Sequence, residues 1–144
     1  MTERVINGFF YGLFMDVGIL KKSNVSPINP RRAYVDGFAL RIGDRATLVP
    51  QCGSRAYGML IGLTHAEFER LYTAAGLENY RPEPVLAQVI DGSAVPALCY
   101  NLLVEPPRGQ RNLDYASRLQ RVLRELEFPT EYVESLTRNT PTNS

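Results

Sequence analysis

The residues able to do chemistry in this chain are few, and their spacing excludes more than it offers. His65 is the only histidine, so neither a Ser–His–Asp triad nor a histidine-based zinc site can be assembled. Cys52 and Cys99 lie far apart in sequence, match no metal-ligand spacing and read as core thiols. Gly8, Gly12 and Gly18 are out of step with the G-x-G-x-x-G pattern, and no Walker sequence occurs. The expectation is therefore no cofactor and no metal. One local arrangement does suggest a ligand. The apolar, β-branched and aromatic run from Val5 to Tyr11 reads as a strand, Gly12 permits a tight turn, and Asp16 to Lys22 reads as a short helix. Where a strand passes through a glycine turn into a helix, backbone N–H groups converge, and such a nest suits a carboxylate or phosphate.

The elements that must hold this bend follow in mixed order. Residues 23–31 carry Pro27 and Pro30 and read as a loop. Residues 32–42 read as a strand in which Gly37 marks a bulge or a close approach; 46–49 make a short strand and 55–63 one buried on both faces. Thr64 with Glu67 three residues on is a capping box, opening a helix whose apolar face holds Phe68, Leu71, Tyr72 and Ala75, with Gly76 as its stop. Strands at 82–90 and 94–103 are joined by Asp91-Gly92, a strong hairpin cue. A helix begins near Asn112, with Tyr115, Leu119, Val122, Leu123 and Leu126 on its apolar face. Arg118, Arg121 and Arg124 lie off that face and read as a solvated ridge. Pro129 opens a last short helix at its first position, and residues 137–144 form a polar tail. About six strands and four helices without regular alternation argue for an α+β fold in a single domain over 1–136.

Bulk properties narrow the partners. The formal charge of +1 gives no reason to expect nucleic acid or an anionic membrane surface. No apolar stretch approaches the roughly 20 residues that span a bilayer. With no signal-like apolar segment at the N-terminus, the two cysteines are expected as reduced thiols and the protein in the cytoplasm.

An ordered set of short segments adds a resemblance. Tyr11-Gly12-Leu13-Phe14-Met15 is followed by Asp36-Gly37-Phe38-Ala39-Leu40, Arg45-Ala46-Thr47-Leu48-Val49-Pro50 and Tyr57-Gly58-Met59-Leu60. Thr64-His65-Ala66-Glu67-Phe68-Glu69-Arg70-Leu71 comes next, and Leu113-Asp114-Tyr115 through Phe128-Pro129-Thr130-Glu131-Tyr132 closes the series. Taken in order over residues 5–136, these segments resemble the γ-glutamylcyclotransferase-like family. The resemblance implies a small mixed, barrel-like sheet with helices packed around it and a pocket at one mouth. The implied reaction is cyclisation of a γ-glutamyl group to 5-oxoproline, in which one carboxylate serves as base and then as acid.

The resemblance also locates a break. Family members place that carboxylate in Leu-Asp-x-x-Glu-Gly, where this chain reads Leu71-Tyr72-Thr73-Ala74-Ala75-Gly76. Ala75 stands at the position of the acid–base Glu and Tyr72 at that of the Asp. Leu13 and Phe14 replace the small polar residues of the family's turn. Tyr80 and Tyr115 match family tyrosines that face the ligand; as residues alone they read equally as amphipathic core tyrosines. Glu78 is the carboxylate nearest the vacated position, either a displaced acid–base or a solvated loop residue. The expected ligand-binding set is Tyr11, Gly12, Leu13, Phe14, Tyr72, Tyr80 and Tyr115. Three functions stay open: a binding protein for a small molecule, γ-glutamyl or otherwise carboxylate-bearing; an enzyme that uses Glu78; and a fold that serves only as an interaction module.

Overall fold

The computed structural model describes residues 4–43, 45–73, 77, 79–102, 104, 106 and 112–136. Strand β1 (Val5–Phe10) runs into a single 3-10 turn at Leu13–Met15 and then helix α1 (Val17–Lys22). Asp16 caps α1 by accepting from the Gly18 N–H at 2.9 Å, and Lys21 and Lys22 sit in its last turn, where the helix dipole favours cations. Then come β2 (Ile28–Ile42), β3 (Ala46–Thr64), α2 (His65–Tyr72), β4 (Tyr80–Val89), β5 (Ala94–Leu102), α3 (Leu113–Glu125) and α4 (Thr130–Ser135).

The strands close into a barrel in the order β1-β3-β2-β4-β5. All pairings are antiparallel except the return from β5 to β1, where Gly8 meets Leu98 in parallel register. The two-residue repeat of β-strands sorts the apolar side chains into two sets. Phe9, Tyr11, Val35, Ala56, Leu60, Ala87 and Cys99 fill the barrel. Phe10, Met59, Ile61 and Leu63 point outward beneath the helices, against Phe68, Leu71, Leu119, Leu123 and Val133. The α+β architecture with flanking helices is thus the expected one.

Its details depart from the sequence reading in four places. There are five strands among the described residues, because 46–49 and 55–63 are parts of one 19-residue strand, β3. The interruption is a bulge: Asp36 pairs with Arg55 and Phe38 with Pro50, so residues 51–54 arch out opposite Gly37. Gly37 and Gly53 hold φ values of 85° and 83°, which side chains with a Cβ disfavour. Second, β2 starts at Ile28, taking the end of the expected loop. Third, Pro129 caps α4 rather than opening it. Fourth, Cys52 lies on that exposed arch and is not a core thiol; Cys99 is buried as expected.

The capping box of α2 is complete. Thr64 Oγ1 accepts from the Glu67 N–H at 3.2 Å, and Glu67 Oε1 accepts from the Thr64 N–H at 2.9 Å. The other carboxylate oxygen takes the Ser26 N–H at 2.7 Å, tying the segment after α1 to the start of α2.

Candidate functional site

A cleft of about 260 Å³ opens at the barrel end where β1 and β5 finish and β3 and β4 begin. Each wall has a local cause. On one side, the chain leaving β1 supplies Tyr11 and Gly12, and the 3-10 turn that follows supplies Leu13 and Phe14. On another, Asn112 caps α3 by accepting from the Tyr115 N–H at 3.0 Å, and its own N–H donates to the Gly43 carbonyl at 3.0 Å. The β2–β3 turn and the first turn of α3 are therefore fixed to each other, with Arg45 and Tyr115 beside them.

The floor is aromatic. Tyr72, from the last turn of α2, stacks on Tyr100 of β5 with ring centroids 3.9 Å apart and planes 5° from parallel. Phe14 meets Tyr72 edge-on at 6.0 Å, and Phe10 meets Phe14 edge-on at 6.3 Å. Tyr11 donates its hydroxyl proton to the Tyr100 carbonyl at 2.7 Å, and Tyr80 donates to the Ala46 carbonyl. Two phenols are thus spent on backbone acceptors and hold the barrel end in shape.

All seven residues expected to bind the ligand line this one cleft. Ala75 and Glu78 lie outside the described residues. Sequence reasoning missed Tyr100, Arg45 and Arg118. The last of these corrects the ridge reading, since Arg118 lines the cleft, while Arg121 and Arg124 are exposed as expected. A signal existed: Arg118 follows Tyr115 by three residues, the spacing that places two side chains on one helix face.

Burial raises the pKa of Tyr11 and of Tyr72 well above the usual phenol value, with neighbouring Cys99 and Tyr80 adding to both. Tyr80, Tyr100 and Tyr115 are also pushed up, again chiefly by burial. For Tyr115 the Leu13 backbone and then Arg118 and Arg45 pull the other way; for Tyr80 it is Arg45. At neutral pH these phenols keep their protons, so they donate hydrogen bonds and do not serve as bases. No Asp, Glu or His occurs among the described lining residues. Among the described residues there is also no grouping of His, Cys, Asp and Glu able to hold a metal ion.

A closed barrel with helices packed around it and a small-molecule cleft at one end defines the class. The chain belongs to the gamma-glutamyl cyclotransferase, AIG2-like family, whose model matches residues 8–119. Among solved structures it is similar to one described as gamma-glutamyl cyclotransferase, at 17% identity and TM-score 0.76, covering 98% of this chain and 91% of that one. It is similar to YkqA from Bacillus subtilis at 24% identity and TM-score 0.76, over 94% of this chain and 54% of that longer one. An uncharacterized protein from Homo sapiens, loc79017, matches at 18% identity and TM-score 0.73, with 99% and 92% coverage. At these identities the likeness is one of fold. No curated protein matches the sequence.

Proposed function

We propose that this chain is a small-molecule-binding member of the family that does not carry out γ-glutamyl cyclisation. That reaction needs a group to take a proton from the attacking amine and return one to the leaving nitrogen. The observation that carries the reading is the lining of the cleft: phenols held protonated by burial, apolar rings and two arginines, with no carboxylate or imidazole among the described residues. The sequence resemblance, which sets Ala75 at the family's acid–base position, points the same way, since alanine moves no proton. A cytoplasmic location accords with cysteines that form no disulfide.

Incubation of the pure protein with γ-glutamyl amino acids, with 5-oxoproline measured, tests the catalytic half. The expected result is no product above buffer. Product formation that disappears in Glu78→Gln would overturn the reading and make Glu78 the acid–base of an active enzyme. Calorimetric titration with small carboxylic acids tests the binding half.

A further inference from the structure

The cleft combines two features that its tyrosines do not explain together. Its floor, built on the Tyr72–Tyr100 stack with Phe14 edge-on to Tyr72, is aromatic. Its rim carries Arg45 and Arg118, brought there by separate elements. Arg45 immediately precedes Ala46, whose carbonyl accepts from Tyr80 and lies 3.5 Å from the Tyr11 hydroxyl. Arg118 sits one turn along α3 from Tyr115. Both arginines line the cleft together with Tyr115, and their charges oppose the rise that burial imposes on its pKa. Neither arginine has an ion-pair partner among the described residues, and no described lining residue is acidic. Positive charge over an aromatic floor, with no acidic side chain among the described lining residues, is complementary to an anion with an apolar body.

We propose that Arg45 and Arg118 bind the carboxylate of a small acid whose single-ring body lies against Tyr72, Tyr100 and Phe14. The assignment rests on the ligand-binding reading above. Arginine suits the task because its planar fork matches a carboxylate in two parallel hydrogen bonds and sheds water more readily than an ammonium. The volume of about 260 Å³ falls below the roughly 300–1,000 Å³ typical of drug-sized ligands, which limits the body to about one ring. A carboxylate is favoured over a phosphate because the floor offers rings to an organic body and nothing to an inorganic ion.

The test is isothermal titration of the full chain with phenylacetate, its neutral analogue phenylacetamide, and inorganic phosphate. Phenylacetate is expected to bind, more weakly as salt rises. Phenylacetamide and phosphate are each expected to bind at least about tenfold more weakly, one lacking the charge and the other the ring. Arg45→Gln and Arg118→Gln are each expected to weaken phenylacetate by about tenfold and leave phenylacetamide unchanged. Arg121→Gln, on the same helix and outside the cleft, is expected to change neither, and a circular dichroism melt verifies that each variant is folded. Equal binding of acid and amide, insensitive to both arginine substitutions, overturns the anion role and leaves the cleft as a binding site. Phosphate binding as tight as phenylacetate overturns the aromatic-body half. Absence of binding by acid, amide and phosphate alike overturns this assignment and the ligand-binding reading together.

Discussion

The Tyr115 hydroxyl occupies the space that a side chain on residue 12 would need. A Cβ built on Gly12 would lie 2.6 Å from that oxygen, closer than real Cβ contacts come. The first bend of the chain and its late helix are keyed together at this point, and the Asn112 cap sets the depth of the key. Gly12 has φ −108° and ψ −153°, a backbone that alanine also adopts, so its glycine answers to the contact and not to strain.

Gly12→Ala should therefore destabilise the protein by about 1–3 kcal/mol, the usual cost of overpacking. In Tyr115→Phe the hydroxyl is gone, and the next nearest atom, Cζ, stands at 3.9 Å, an ordinary contact. The cost of the alanine should then fall well below its wild-type value, giving a coupling of about 1 kcal/mol or more in a double-mutant cycle by urea denaturation. Additive costs would show that the two residues do not meet as described.

Tyr72 contributes its ring more than its hydroxyl. Tyr72→Phe should melt close to wild type, whereas Tyr72→Ala removes the partner of Tyr100 and Phe14 and should cost about 1–3 kcal/mol. The same truncation deepens the cleft, so binding of naphthylacetate should improve relative to phenylacetate. A cleft indifferent to the change, by calorimetry with the two acids, would mean that Tyr72 does not form its floor.

How far the sequence reached can be judged from particular residues. The capping box at Thr64 and Glu67, the Asp91-Gly92 hairpin and the α3 stripe were legible because each is a local rule, written within a few residues. The break at 50–54 was misread because an exposed arch with Pro50 and Gly53 looks like a loop; only the long-range pairing of Asp36 with Arg55 makes it part of one strand. Barrel closure was not legible from periodicity, since it depends on Gly8 meeting Leu98 across most of the chain. The site split the same way. Its seven expected residues came from the family resemblance, and they share one cleft. Arg118 escaped because a helical stripe shows which side chains are buried, not which exposed ones overhang a cavity, and Arg45 because nothing local in the sequence shows that the β2–β3 turn meets the first turn of α3.

Glu67 gives the fold a pH-dependent joint. Burial opposes its ionisation, but hydrogen bonds from the Thr64 backbone, the Ser26 backbone and the Thr64 hydroxyl, with Arg70 nearby, outweigh it and hold its pKa below the usual value. A carboxyl lowered on folding stabilises the native state above its unfolded pKa, and that contribution is lost as pH falls through the folded one. Glu67→Gln should thus be less stable than wild type near neutrality, by under about 1 kcal/mol for so exposed a group, and indistinguishable well below the carboxylate range. Denaturation curves for both proteins across that range are the check. A difference independent of pH would mean that the amide caps α2 as well as the charge does.

The two thiols should react in separate phases. Cys52 is exposed on the β3 arch, while Cys99 lies inside the barrel, where burial, reinforced by Glu83 and opposed by Asn101, pushes its pKa far up. Reaction needs the thiolate and access to it, and Cys99 is denied both in the native state. With a chromogenic disulfide reagent, one thiol should react at once and be abolished by Cys52→Ser. The second should appear only as fast as the barrel opens, so its rate should rise with denaturant in step with unfolding. Rapid reaction of both thiols in native buffer would mean that the β1–β5 seam, held in register by Gly8 and Leu98, parts without global unfolding. The closed barrel that supports the cleft would then be a transient arrangement.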